Sequence, residues 1–172
     1  MKVYLETDRL ILREFTAKDT PLLVVLDSDP EVMRFISDGR PTDPADVRDQ
    51  VLPRFVDWHE RSAVFGYWAA IEKASGEFIG WFHFRPGKVD ADGIELGYRL
   101  IRSAWGKGYA TEGARGLITK SHQLPEVQRI YARALAANHR SRRVMEKLGM
   151  LFSHTYRETE FPGHDQEAIV YE

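Results

Sequence analysis

The hydrophobic pattern of the chain changes period once within residues 94–117, and that change marks its most informative stretch. Ile94, Leu96, Tyr98 and Leu100 alternate with Glu95, Gly97, Arg99 and Ile101, as in a strand buried on one face. Ala110, Ala114, Leu117 and Ile118 then recur at helical spacing, so a helix is predicted to begin within a turn of Gly108. Between the two periods lie Trp105, Gly106, Lys107, Gly108, Tyr109, Ala110 and Thr111. The two glycines let the backbone adopt positive φ and approach a ligand with no side chain intervening. The unpaired amides of a helix start, carrying about half a unit of positive charge, suit a phosphate or pyrophosphate.

The rest of the chain divides into further strand and helix signals. Leu10, Ile11 and Leu12 form a short apolar run, most simply a first strand. Asp19 or Thr20 can cap a helix that admits Pro21 in its first turn. Asp29 with Pro30 opens a second helix, which carries Val32, Met33, Phe35 and Ile36 to the core before Gly39 and Pro41 end it. Asp43 before Pro44 marks a third start, and Val47, Val51, Leu52, Phe55, Val56 and Trp58 form an amphipathic segment that Pro53 can interrupt. Residues 64–72 and 78–85 read as a hairpin across Lys73, Ala74, Ser75 and Gly76. Residues 128–134 read as a strand and 138–148 as a helix stopped at Gly149. Residues 150–161 and 167–171 read as closing strands around a turn at Pro162 and Gly163.

The glycine turn admits several readings. A glycine pair can form nothing more than a tight connection. A nucleotide P-loop needs a hydroxyl after its lysine, but Lys107 is followed by Gly108 and Tyr109. A dinucleotide fingerprint begins at Gly106 and Gly108, then meets Thr111 where its third glycine belongs, and Glu126 precedes a strand instead of ending one. The run ELGY followed by WGKGYATEG resembles the acetyl-CoA-binding motif of the GNAT N-acetyltransferase superfamily, Q/R-x-x-G-x-G/A, with Trp105, Gly108 and Ala110 at its fixed positions. Trp105 departs from the general pattern and is similar to the RimJ/RimL-type branch, as is the opening RLILREF.

That resemblance implies an α/β fold with a central mixed, mostly antiparallel twisted sheet of about seven strands, flanked by helices and splayed at its fourth strand. It also implies a cofactor path. The backbone at Leu100 and Ile101 would bond the pantetheine arm, and the turn from Trp105 through Gly106, Lys107, Gly108, Tyr109, Ala110 and Thr111 would hold the pyrophosphate.

A second constellation supports the first. Asn138 and Ser141 lie three apart on one side of a helix start, and N-x-x-S followed by E-K-L-G resembles the second cofactor motif of the same branch. Ordinary helix grammar accounts for the same residues, with Asn138 as a cap and Gly149 as a stop. The wider superfamily often carries a tyrosine just before E-K-L-G to protonate the leaving thiol. Here Met145 stands there, so the role passes to Ser141. Glu95, on the strand that should hold the thioester, is the expected general base, with His83 as the next candidate if the hairpin is centred near Val89 and the two share a face.

Composition sets the outer bounds. A chain of 172 residues suits one domain, residues 1–172, and can bury roughly 70% of its unfolded surface. With 24 Lys and Arg against 26 Asp and Glu, charge gives no reason to expect nucleic acid or an anionic membrane. The absence of cysteine excludes disulfides and thiolate chemistry and fits a cytoplasmic protein. The opening residues hold no long apolar run, so neither a signal peptide nor a membrane span is expected. Six histidines without paired spacing give no metal site.

The expected activity is acetyl-CoA-dependent transfer of an acetyl group directly to a primary amine, with a protein or peptide α-amino group favoured by the RimJ/RimL likeness. A small amine such as an amino acid, a polyamine or an aminoglycoside is the alternative acceptor, and a non-catalytic acyl-CoA-binding or regulatory module the alternative class. A homodimer is left open.

Overall fold

A computed structural model describes residues 2–87, 92–159 and 166–172. The strands are β1 (Val3–Glu6), β2 (Leu10–Glu14), β3 (Gly66–Glu72), β4 (Phe78–Pro86), β5 (Ile94–Leu100), β6 (Ile130–Leu135), β7 (Phe152–Glu158) and β8 (Gln166–Tyr171). They form one sheet in the order β1-β2-β3-β4-β5-β6-β8-β7, with every neighbour antiparallel except the parallel pair β5 and β6. The helices are α1 (Thr20–Ser28), α2 (Pro30–Met33), α3 (Pro44–Asp46), α4 (Leu52–Arg61), α5 (Tyr109–Ser121) and α6 (His139–Lys147).

The mixed, mostly antiparallel sheet matches the expectation, with one more strand among the described residues than the pattern gave. Val3–Glu6 pairs with β2, so the strand leading into the glycine turn is the fifth and not the fourth. Asp29 caps α2 by accepting from the Glu31 amide at 2.9 Å, and Asp43 caps α3 by accepting from the Ala45 amide at 2.7 Å. Asp19 sits at the start of α1, but its carboxylate is drawn away by Arg13, which donates to both oxygens at 2.8 and 2.7 Å. Helix α2 ends at Met33, leaving Phe35 and Ile36 half-buried in the turn beyond it. Pro53 does not break its helix. It lies inside a helical run that continues from α3 through a π-type segment, Val47–Val51, into α4, and that widened segment just before it accommodates the missing N–H. The turn expected at Pro162 and Gly163, and Val89, the expected centre of the hairpin, lie outside the described residues.

Strand alternation divides the core into two layers. Trp68, Ala70, Phe82, Phe84, Ile94, Leu96 and Leu100 pack against Tyr109, Ala114 and Leu117 of α5. On the opposite face Tyr67, Ala69 and Trp81 pack against Leu23 and Leu26 of α1 and Leu52 and Phe55 of α4. Helix α5 lies flush on the sheet because Gly113 carries no side chain: a Cβ there would come within 2.3 Å of the Phe82 ring.

Strands β5 and β6 stay paired only at Ile94 with Ile130 and at Glu95 with Tyr131. Beyond Glu95 the two strands part. β5 continues along β4 for its full length, while β6 continues along β8, so the sheet opens into a wedge at its centre.

Leu117 is 1% exposed at the heart of the α5 layer. Leu117→Ala is expected to cost about 2–5 kcal/mol, read as a lowered urea midpoint with an unchanged slope.

Candidate active site

The backbone of β5 faces the wedge in a defined way. The Ile94 amide donates to Arg129 on the β6 side at 2.9 Å, and the Ile101 amide donates to Ile79 on the β4 side, also at 2.9 Å. Hydrogen-bonding direction alternates along a strand, so Leu96, Tyr98 and Leu100 turn their backbone groups towards β6 and, past the last pair, into the wedge. Ile101 spends both of its groups within the protein, its carbonyl accepting from the Ala104 amide at 3.0 Å. The Leu100 carbonyl accepts from the Trp105 indole Nε1 at 2.8 Å, which leaves the Leu100 amide as the group directed into the wedge.

The turn after β5 is built as its glycines suggest. Gly106 and Gly108 have φ of 75° and 85°, and Gly108 is the residue from which α5 starts. Glu112 N donates to Gly108 O at 3.0 Å, so the amides of Tyr109, Ala110 and Thr111 precede the first helical bond. Space outside the turn is open, since a Cβ on Gly106 would meet nothing within 4 Å. Side chains pin the loop from behind. Glu112 accepts from Thr7 Oγ1 at 2.6 Å, from the Arg9 amide at 2.8 Å and from Arg9 Nε at 2.6 Å. Arg9 donates onward to the Lys107 carbonyl at 3.0 Å and lies over the Tyr109 ring, whose hydroxyl donates to Glu72.

Helix α6 closes one side of the wedge. Asn138 caps it, its Oδ1 accepting from the Ser141 amide at 3.2 Å. The Ser141 side chain lies beside the phenol of Tyr98 on β5, and burial raises the pKa of that phenol, so it stays protonated. Met145 is 3% exposed and packs with Ala132, Met150, Ile169 and Tyr171. Arg140 lies over the Trp105 ring at 4.8 Å, tying α6 to the turn.

On the face opposite α5 a buried polar cluster spans the point where the strands part. His83 and Glu95 share that face, but the register pairs Glu95 with Arg85 and places His83 opposite Gly97, two residues from the expected alignment. Arg133 of β6 donates through Nε to Glu95 Oε1 at 2.9 Å and through Nη1 to Glu158 Oε2 and the Tyr156 hydroxyl, each at 2.7 Å. Arg85 Nη2 lies 3.1 Å from Glu95 Oε2, and Tyr156 donates to Glu158 at 2.8 Å. Further along β5, Arg99 donates to Asp27 at 2.6 Å and rests on the Trp81 ring.

Burial of Glu95, 4% exposed, works against its charge, but the neighbouring positive charges outweigh it and hold the carboxyl below its usual range. His83 goes the other way. Burial lowers its pKa to about 3 in spite of Glu95, and the charges of Arg85, Arg133 and Arg99 add to the effect, so the ring is neutral at neutral pH. Its Nε2 is 3.8 Å from Glu95 Oε1, and neither ring nitrogen has a hydrogen-bond partner among the described residues. Among the described residues no three His, Asp or Glu side chains gather to hold a metal ion.

The structure therefore brings Ser141 and Tyr98 to one side of the wedge and Glu95 and His83 to the other. The sequence reading did not single out Tyr98, Arg133, Glu158, Arg85 or the Arg99–Asp27 pair. Tyr98 had a signal, being the polar-tipped residue on the apolar side of the β5 alternation. The others had none, since their partners are far away in the chain.

Comparison with known proteins gives a concordant result. The acetyltransferase (GNAT) domain family matches residues 9–151. The protein YkkB of Bacillus subtilis is 33% identical over 94% of this chain and 92% of its own. The FsC-acetyl coenzyme A-N(2)-transacetylase of Aspergillus fumigatus is 31% identical over 92% of this chain and 68% of its own. A GNAT acetyltransferase structure from Bacillus anthracis superposes with a TM-score of 0.79 at 24% identity, covering 97% of this chain and 95% of that one. The RimL ribosomal L7/L12 α-N-protein acetyltransferase in complex with coenzyme A superposes with a TM-score of 0.82 at 17% identity, covering 99% and 96%.

Gly97 gives the cluster its room, because a Cβ there would lie 2.6 Å from His83 Cε1 and 2.7 Å from Nε2. Gly97→Ala is expected to lower the melting temperature, and His83→Ala in the same chain is expected to restore part of the loss. Equal melting temperatures for wild type and Gly97→Ala would contradict this packing.

Proposed function

The chain belongs to the GNAT family of N-acetyltransferases, and we propose that its acceptor is an α-amino group of a peptide or protein. The observation that carries this reading is the charge balance on the face opposite α5. Among the described residues Glu95, Glu158 and Asp27 are each paired with an arginine there, so this cluster offers no surplus negative charge to attract a polyamine or an aminoglycoside. An α-amine, with a pKa of about 7.7–8.0, is substantially free at neutral pH, whereas a lysine at about 10.4 is not. The RimJ/RimL wording around Trp105 points the same way.

Acetyl-CoA supplies the activated acetyl group as a thioester, and the residues of the wedge fit it. The amides that open α5 would bind the pyrophosphate, and the backbone groups of Tyr98 and Leu100 would bond the arm. Asn138 would flank that arm from α6. Ser141, beside Tyr98, would donate a hydrogen bond to the departing sulfur. Glu95 would sit at the acceptor end, directing the amine or a water that carries off its proton. With both oxygens engaged by guanidinium groups it is a weak base, so the amine is expected to arrive uncharged.

Gly108→Val places a branched side chain where φ is 85° and opposes the backbone the turn needs, so CoA affinity measured by calorimetry on folded protein should fall at least about 10-fold. Glu95→Gln and Ser141→Ala should each lower turnover by roughly 10²- to 10⁴-fold while CoA affinity is kept. Near-full turnover in Glu95→Gln would leave His83 as the next group to test. For pH, the Glu95 carboxyl is held below its usual range and is already ionised near neutrality, so kcat/KM on a peptide should rise with the free α-amine around pH 7.7–8.0. A carboxyl inflection between pH 5 and 7 in the same profile would contradict that assignment. Screening peptide amines against polyamines and aminoglycosides by mass spectrometry tests the acceptor class, and CoA binding without any acetylated amine would favour a non-catalytic module.

A further inference from the structure

We propose that the Arg133–Glu95 ion pair is the end stop of the acyl site, so that it restricts the donor to an acetyl or similarly short acyl group. This rests on the reading that the cofactor's arm lies along β5, and it adds a specificity role to that site.

An arm entering from the glycine turn passes Leu100 first and advances towards Glu95, a run of about 17 Å along an extended strand. There it meets the last backbone pairs, Glu95 with Tyr131 and Ile94 with Ile130, where the wedge closes. The acyl group, at the tip of the arm, can then extend only to one face of the sheet or the other. On the α5 face Leu96 is 3% exposed within the packed core. On the other face the Arg133 guanidinium bridges the mouth, with Nε 2.9 Å from Glu95 Oε1 and Nη1 2.7 Å from Glu158 Oε2. Arg85 holds the second Glu95 oxygen at 3.1 Å. The His83 ring fills the place beside Gly97, where an added Cβ would lie 2.6 Å away.

A longer acyl chain must therefore separate Arg133 from Glu95. That would break a buried charge pair, leaving Glu95 to Arg85 alone and Arg133 to its partners on β7, and the gain from burying one or two methylenes is smaller than that cost. The bridge acts by occupying space and by resisting separation, and it needs no change of ionisation to do so.

The test is kcat/KM for acetyl-, propionyl- and butyryl-CoA with one peptide amine, in wild type, Arg133→Ala and Arg133→Gln. Wild type should discriminate by roughly 10- to 200-fold per added methylene. Arg133→Ala should narrow the acetyl-to-butyryl ratio at least about 10-fold even though its absolute rates fall. Arg133→Gln is shorter than arginine and keeps a donor for Glu95 or Tyr156, so it carries the test if the alanine variant does not fold. An arginine that only stabilises the fold would lower all three donors in proportion, and an unchanged ratio would overturn the proposal. Wild type that uses butyryl-CoA as readily as acetyl-CoA would overturn it as well. Measuring CoA binding by Gly108→Val alongside locates the failure. With an unchanged ratio, weakened binding there overturns the end stop alone, while normal binding overturns the placement of the arm with it.

Discussion

The structure depends on one strand that loses its neighbour halfway along. β5 pairs with β6 at two positions and then runs on with one edge open, a condition a buried strand tolerates only if its backbone polar groups find partners or face a space where a ligand can supply them. The rest of the molecule compensates. β4 stays bonded to β5 over seven consecutive pairs, and the α5 layer buries Ile94, Leu96 and Leu100 from one side. The Trp105 indole satisfies the Leu100 carbonyl that the parting would otherwise leave open. Turn and helix follow from the same strand. A chain emerging from the open end of the wedge needs a tight reversal to pack back on the sheet, and that reversal sets the first amides of α5 beside the entrance.

The electrostatics of the opposite face obey a related economy. A guanidinium can make several bonds in one plane, so Arg133 can hold Glu95 on β5 and Glu158 on β7 together, joining strands that the parting has separated. The arrangement keeps the Glu95 carboxylate ionised, and it makes an extra proton there unwelcome, because adding one would leave the cluster with uncompensated positive charge in a buried place. The same surroundings keep His83 neutral. A site of this kind suits a nucleophile that arrives already deprotonated better than one that must be stripped of its proton there.

How much of this was legible in the chain varies with the range of the interaction. The hairpin of β3 and β4, the change of period between β5 and α5, and the stop at Gly149 were readable, because each is encoded within a few residues of itself. β1 escaped because Val3–Glu6 is a short edge strand, half exposed, whose apolar signal is too brief to stand out from the terminus. Pro53 signalled a disturbance but not its form, since the helix runs on past it and only widens into the π-type segment just before it. The face shared by His83 and Glu95 was readable from parity, while their offset of two residues depends on the loop that joins the strands. Arg133, Glu158 and Asp27 look like ordinary charges in sequence. They acquire meaning only from a strand order that carries β8 between β6 and β7, and from a helix that brings Asp27 to Arg99 across 72 positions.

The methionine at position 145 is informative in this light. It stands where the wider family often has a tyrosine, and its absence could be taken as a loss of chemistry. Position 145, however, packs into a core of Ala132, Met150, Ile169 and Tyr171, so here its side chain supports β6 and β8 from behind instead of reaching the wedge. One helical turn earlier, Ser141 lies beside Tyr98 of β5, and burial keeps the Tyr98 phenol protonated. Two hydroxyls side by side can hydrogen-bond in series and polarise one another. A hydroxyl pair shared between helix and strand would then stand in for the one that position 145 lacks. The substitution at 145 is therefore compatible with transfer chemistry, provided that the strand contributes the tyrosine.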